Sequence, residues 1–231
     1  MIDLRRREGR PLRIGHRGAA ALAPENTIAA LALALELGCD LVEFDVLELD
    51  GSLVLAHSAT EVPAELATLD EALAFLARTE AGAQIDLKAP GAEQAVVEAL
   101  RRHGLVERAL VSTFRAASLR ALTDLEPNLC RGLTYPDDRF GVSRRIKPLV
   151  RPGLTAMRSV LARRVGRMLA AANANAAMLH WHVVTRAVVE RCHALDAAVF
   201  AWTVLDADEV RRLDELGVDG LIADDPRILR G

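Results

Sequence analysis

The sequence predicts an α/β fold, a TIM (β/α)8 barrel formed by one domain spanning residues 1–231. Two observations carry that reading. Short β-rich runs alternate with longer helical runs through eight strands, which implies a parallel sheet, and eight strands close a barrel. Leu37-Gly38-Cys39-Asp40-Leu41 and Leu216-Gly217-Val218-Asp219-Gly220 also repeat one device: a helix, a glycine at its C-terminal end, then a strand. Glycine there tolerates the left-handed conformation that stops a helix. A doubly wound open sheet is the alternative, but no GxGxxG follows the first strand.

Leu12–Gly18 reads as the first strand and Asn26–Gly38 as the first helix, with Asn26 first as its N-cap and otherwise, with Glu25, as a brace of the His16 loop. Leu41–Leu49 is the second strand, continued past an Asp50-Gly51 turn by Ser52–His57; that dipeptide between apolar runs is a hairpin signal. Helix Thr68–Thr79 leads to a third strand, Ala83–Lys88, then helix Ala92–His103, closed by Gly104. Arg108–Phe114 is the fourth strand, followed by a helix to Glu126, and Leu129–Tyr135 the fifth. A long basic stretch and a helix run to about residue 175. Ala176–His182, Ala198–Leu205 and Gly220–Asp224 are the last three strands, with helices Thr185–Leu195 and Ala207–Leu216 between them. The final helix is nearly absent.

Apolar residues make up 51% and charged residues 26%, an ordinary globular composition. The net charge of −3 argues against nucleic-acid binding, which needs a basic excess. No apolar run reaches the roughly 18 residues of a membrane span. Met1–Arg10 has no apolar core of a secretory signal, so a cytoplasmic location is expected. Cys39, Cys130 and Cys192 are far apart and form no CxxC pair, so buried thiols are expected rather than a disulfide or zinc framework.

Barrel strands are buried on both faces, so polar residues within them need a reason. Here they collect at C-terminal strand ends: His16 and Arg17, Glu43 and Asp45, His57, Asp86 and Lys88. That rim is where sites form in this fold. Glu43 and Asp45, at i and i+2, project from one face, as do Asp86 and Lys88. Three converging carboxylates repel one another unless a cation lies among them, and hard oxygen ligands favour Mg2+ or Ca2+. Arg17 and Lys88 beside that ion form an anion pocket, most simply for a phosphate, and the two histidines can carry protons near neutral pH. The alternative is a buried ion-pair network that only holds the barrel together, a costly arrangement.

These residues resemble the glycerophosphodiester phosphodiesterase family. The resemblance rests on Gly15-His16-Arg17-Gly18 with Pro24-Glu25-Asn26-Thr27, on Glu43-Phe44-Asp45 with Asp50-Gly51 and His57, and on Asp86-Leu87-Lys88. Ser112-Thr113-Phe114, Trp202-Thr203-Val204 and Gly217-Val218-Asp219-Gly220 with Asp224 and Pro226 extend it over residues 12 to 228. The resemblance implies a metal-dependent phosphodiesterase that cleaves glycerophosphodiesters to glycerol 3-phosphate and an alcohol. It implies His16 and His57 as the acid–base pair, Glu43, Asp45 and Asp86 as ligands of one divalent cation, and Arg17 and Lys88 on the phosphate. Three positions depart from the family pattern: Ser58 replaces an Asp that supports the histidine loop, Asp86 is one methylene shorter than the usual Glu, and Leu205 replaces an Asn.

Trp202 is placed either as a wall against the alcohol's apolar part or in the core. His180 and His182, at i and i+2, share a face at the end of the sixth strand, a spacing that can ligate a metal, but no third nitrogen or sulfur ligand is in evidence. Residues 136–170 are basic, with apolar residues at helical spacing, and follow the fifth strand. They read either as a basic lid over the mouth, making transient membrane-surface contact, or as an outer helix whose apolar stripe covers the barrel. Two further functions stay open: a lysophospholipase D acting on lysophospholipids, for which the basic stretch speaks, and a non-catalytic phosphate-binding barrel. The oligomeric state is not legible.

Overall fold

The computed structural model describes residues 2–60, 66–136 and 147–230, the side chains of 147–152 excepted. The strands are β1 (Leu12–Gly15), β2 (Leu41–Leu49), β3 (Ser52–Leu55), β4 (Gly82–Leu87), β5 (Ala109–Thr113), β6 (Cys130–Tyr135), β7 (Ala176–His180), β8 (Ala198–Val204) and β9 (Gly220–Ala223). The α-helices are α1 (Ile28–Glu36), α2 (Leu69–Leu76), α3 (Glu93–Arg102), α4 (Ala116–Leu125), α5 (Lys147–Ala172), α6 (Arg186–His193) and α7 (Ala207–Leu216). β1 pairs in parallel with both β2 and β9, which closes the sheet. β3 alone is antiparallel, folded back on β2 through Asp50 and Gly51, both at positive φ, as a tight hairpin turn requires. The barrel expected from the alternating pattern is therefore present, hairpin included.

Alternation along each strand divides the core in two. On β2, Val42, Phe44 and Val46 pack outward beneath the helices, while Leu41 joins an inner cluster with Leu12, Ile14, Leu110, Met178, Phe200 and Ile222. Leu4 and the partly buried Ile2 pack against that inner cluster. Toward the C-terminal strand ends the inward positions turn polar, which is where the fold places its site.

Several boundaries differ from the sequence reading, each for a physical reason. β1 ends at Gly15, and His16–Gly18 form a turn, with Arg17 at φ 48° and Gly18 at φ 83°. A side chain at Gly18 would meet the Ala30 backbone at 2.4 Å, so this turn is pressed directly onto α1. The N-cap of α1 is Thr27, whose hydroxyl accepts from Ala30 N, and not Asn26. Strand β7 ends at His180, and Trp181–Val183 form a 3-10 turn, so His180 and His182 do not share a strand face. The closing helix is a short 3-10 turn, Pro226–Leu229.

Helix α5 buries Leu161, Val165, Leu169 and Ala172 and exposes Arg158, Arg163, Arg164 and Arg167. Its apolar stripe covers the barrel. Arg139, Arg144 and Arg145 of the basic stretch lie outside the described residues. Among the described residues no helix is long and apolar enough to cross a membrane.

Candidate active site

Asp45 and Asp86 are register partners on adjacent parallel strands, and Glu43 lies one inward position below Asp45. Glu43, Asp45 and Asp86 each offer a carboxylate oxygen, all within 4.8 Å of one another, and all three are buried. The shorter Asp86 reaches the cluster because its backbone stands directly beside Asp45. Ser112 Oγ donates to its Oδ1 at 2.8 Å and Lys88 Nζ to its Oδ2 at 2.5 Å. Lys88 Nζ also lies 2.6 Å from Asp45 Oδ1.

Electrostatics separate the three acids. Burial, with Asp45 and Asp86 adding to it, pushes the Glu43 carboxyl up to about 7 against the pull of His16 and Lys88. Asp45 is equally buried, but Lys88, a hydrogen bond from His57 and Arg17 hold it far below the usual carboxylate range. Asp45 Oδ1, though close to Lys88, has no aligned hydrogen-bond donor among the described residues. Three oxygen ligands within one small volume, one raised chiefly by burial beside two other carboxylates and one with an open acceptor, fit a hard divalent cation, which would favour the ionised form of all three.

His16 and His57 stand on two sides of this cluster. His16 Nδ1 bonds Asp224 Oδ1 at 2.6 Å, and its Nε2 lies 3.9 Å from Glu43. Burial alone would lower the His16 pKa, but Glu43 and Asp224 outweigh it and raise it. His57 Nδ1 lies 3.2 Å from Asp45 Oδ2 and 3.0 Å from Arg17 Nη2. It can donate to the carboxylate or accept from the guanidinium, and the choice sets which ring nitrogen carries the proton. Ser58 bonds Thr60 and plays no part in this support; Asp45 and Arg17 hold His57 instead. Arg17 itself divides its guanidinium among Asp45 at 2.9 Å, Glu25 at 2.7 Å and His57. In this arrangement Arg17 and Lys88 both face carboxylates.

Two residues that touch this cluster lie outside the site residues picked from the sequence. Asp224, just past β9, belongs to the closing motif, but pairing with His16 across 208 positions of sequence separation shows only in the closed barrel. Asn26, at φ 59° and 1% exposed, grips Asp45 twice: its Oδ1 accepts from Asp45 N and its Nδ2 donates to Oδ2. Its position before a helix suggested a cap; the positive φ turns it inward instead.

Trp202 lies on the inner face of β8, half-buried, and its indole N–H donates to the Met178 carbonyl at 3.0 Å. His180 stands beside it with ring centroids 5.3 Å apart at 82°. Leu205, 64% exposed, follows the end of β8 and has no hydrogen-bonding side chain to offer the site.

The family model described as the glycerophosphoryl diester phosphodiesterase family matches residues 16–62 and 77–228. A glycerophosphodiester phosphodiesterase from Caldanaerobacter subterraneus is 29% identical over 94% of this chain and 95% of its own length. Among solved structures, a phosphodiesterase from Oleispira antarctica in complex with the product sn-glycerol-3-phosphate superposes with a TM-score of 0.73 at 23% identity, covering 96% of each chain. A glycerophosphodiester phosphodiesterase from Agrobacterium tumefaciens gives 0.71 at 21% identity, over 95% of this chain and 98% of its own. At that identity the superpositions establish the barrel fold.

Proposed function

The chain belongs to the glycerophosphoryl diester phosphodiesterase family and is a phosphoric diester hydrolase, and from that premise we propose that residues 1–231 act as one domain that hydrolyses glycerophosphodiesters to glycerol 3-phosphate and an alcohol. The observation that carries this reading is the convergence of two histidines and three buried carboxylates at one end of the barrel.

A phosphodiester is an anion that repels nucleophiles, and its alkoxide is a poor leaving group. Hydrolysis therefore needs charge neutralisation, a base and an acid. Glu43, Asp45 and Asp86 would hold one Mg2+ or Ca2+, which supplies positive charge against the phosphoryl oxygens. Lys88 and Arg17 add fixed positive charge at the same place, where developing negative charge is stabilised most in a water-poor site.

His16 is the acid. Against burial, Glu43 and its Asp224 partner favour the imidazolium and raise its pKa, which suits a proton donor. His57 is the base. When the phosphate draws the Arg17 guanidinium, His57 Nδ1–H is left to Asp45, and Nε2 presents a free lone pair. The glycerol 2-hydroxyl then attacks phosphorus and its proton passes to His57 Nε2. The bond from phosphorus to the alcohol oxygen breaks as that oxygen takes a proton from His16. The five-membered cyclic phosphate so formed is opened by water with the histidines in exchanged roles. Attack within one molecule gains the advantage of proximity, and it makes the glycerol half the required part of the substrate.

A location in the cytoplasm fits three free, buried cysteines. The test is release of glycerol 3-phosphate from a panel of glycerophosphodiesters by purified protein, with Mg2+ or Ca2+ and with chelator. Lysophospholipids belong in the same panel: their turnover in preference to soluble diesters would replace this substrate class. Binding of phosphate without turnover of any of them would support the non-catalytic barrel.

A further inference from the structure

The mouth of the barrel has two unlike halves. From β9 through β1 and β2 to β4 it carries Asp224, His16, Glu43, Asp45, Asp86 and Lys88, all ionisable. From β6 to β8 the inward positions are Thr134, His180 and Trp202. Inward orientation of Thr134 follows from its neighbours: Cys130 joins the inner cluster, a side chain at Gly132 would meet Met178, and Leu133 packs outward.

Among the described residues, the inward positions of this second half are aromatic or neutral. His180 Nδ1 accepts the backbone N–H of His182 at 3.2 Å, which leaves the ring proton on Nε2. Burial, helped by His182, lowers its pKa to about 4, so the ring stays uncharged near neutral pH. His180 stacks on Trp181 at 5.5 Å and meets Trp202 edge-on, forming a corner. Thr134 Oγ1 is buried, and among the described residues it has no hydrogen-bond partner. A buried hydroxyl left unpaired is costly unless something arrives to satisfy it.

We propose that Thr134, His180 and Trp202 form the subsite for the alcohol half of the diester and select an uncharged, hydroxyl-bearing alcohol, with His180 as the specificity-determining residue. This rests on the phosphodiesterase reading above. The leaving oxygen takes its proton from His16 at the end of β1, and around the rim past β9 stands Trp202 of β8, so the rest of the alcohol extends from His16 into the neutral half. An N–H donor, an unpaired hydroxyl and aromatic faces match the O–H and C–H groups of a polyol. A quaternary ammonium can meet the indole faces but offers the Nε2–H no acceptor and finds no carboxylate among the groups acting on His180, so the discrimination rests on the His180 donor.

The experiment compares glycerophosphoglycerol with glycerophosphocholine, which share the glycerol 3-phosphate half. It measures kcat/KM with added Mg2+ and, separately, binding by intrinsic fluorescence. The protein's two tryptophans, Trp181 and Trp202, both stand at this corner, so the signal reports on it directly. The expected result is a preference of about 3- to 10-fold for the glycerol head, the worth of one neutral hydrogen bond. H180F, which keeps a ring and loses the donor, should abolish the preference, and H180Q should recover part of it. Equal affinity of the wild type for both diesters would overturn the proposal. So would an equal loss on both in H180F, which would place His180 on the shared half. A binding preference without turnover of either diester would uphold the subsite while removing the hydrolase reading.

Discussion

His16 Nδ1 lies 2.6 Å from Asp224 Oδ1, a bond between the end of the first barrel strand and the end of the last. Closure of the barrel is what makes the pair. Asp224 is held acidic by the same bond, so the carboxylate stays charged, orients the histidine and favours its imidazolium form. D224N should lower kcat by about 10²-fold, at the lower end of what a positioned general acid contributes. The sign on pH also follows. Asp224 raises the His16 pKa, so its removal lets the proton leave at lower pH, and the alkaline limb of the kcat profile should move down. An unchanged profile would remove Asp224 from the mechanism.

The division of labour between the histidines predicts an asymmetry in leaving-group dependence. A p-nitrophenyl ester of glycerol phosphate departs without a proton. H16A should therefore lose about 10²–10⁴-fold on an alkyl diester and recover most of it on the p-nitrophenyl ester. H57A, lacking the base, should be equally impaired on both. Recovery by H57A instead would reverse the two roles.

Glu43 predicts how the ion and pH interact. Its pKa in the folded protein, about 7, lies above the ordinary value of 4.5. A carboxyl raised in this way contributes stability below about pH 4.5 that is lost as pH rises through about 7. Without divalent ions the melting temperature should fall over that window, and E43Q should remove the fall. Added Mg2+ or Ca2+ should restore stability and bind with proton release. At 100 times its dissociation constant the ion is worth about 2.7 kcal/mol, several degrees in melting temperature. D45N and D86N should lose that shift.

Asn26 and Gly18 separate site from scaffold. N26A removes the two bonds that Asn26 makes to Asp45 and should weaken metal affinity about 10–100-fold, as loss of a ligand's supporting bonds does. Calorimetric titration with Mg2+ reads this directly. G18A meets the Ala30 backbone at positive φ and should cost about 2 kcal/mol or more of folding stability, with activity falling alongside. Full stability in G18A would contradict the packed turn.

The barrel was legible because its signals are periodic: alternating strands and helices, and a glycine stop used twice. Glu43, Asp45, Asp86 and Lys88 were legible because strand alternation places i and i+2 on one face, and such charges are out of place inside a barrel. Asp224 and Asn26 were harder to read because their roles depend on contacts across the closed sheet and on a positive φ. Local rules point elsewhere: an Asn before a helix reads as a cap. His182 failed for the opposite reason, since a period of two was carried past the end of β7 into a 3-10 turn. The partners of Arg17 and Lys88 were invisible for lack of a local signal; only the fold shows that both already face Asp45.

The most direct test is glycerol 3-phosphate release by the purified protein from a soluble glycerophosphodiester, with Mg2+ or Ca2+, with chelator, and with H16A alongside. Turnover that needs the ion and is lost in the folded variant is the predicted result. Undiminished turnover in chelator, or in H16A on an alkyl diester, would contradict the account at its centre.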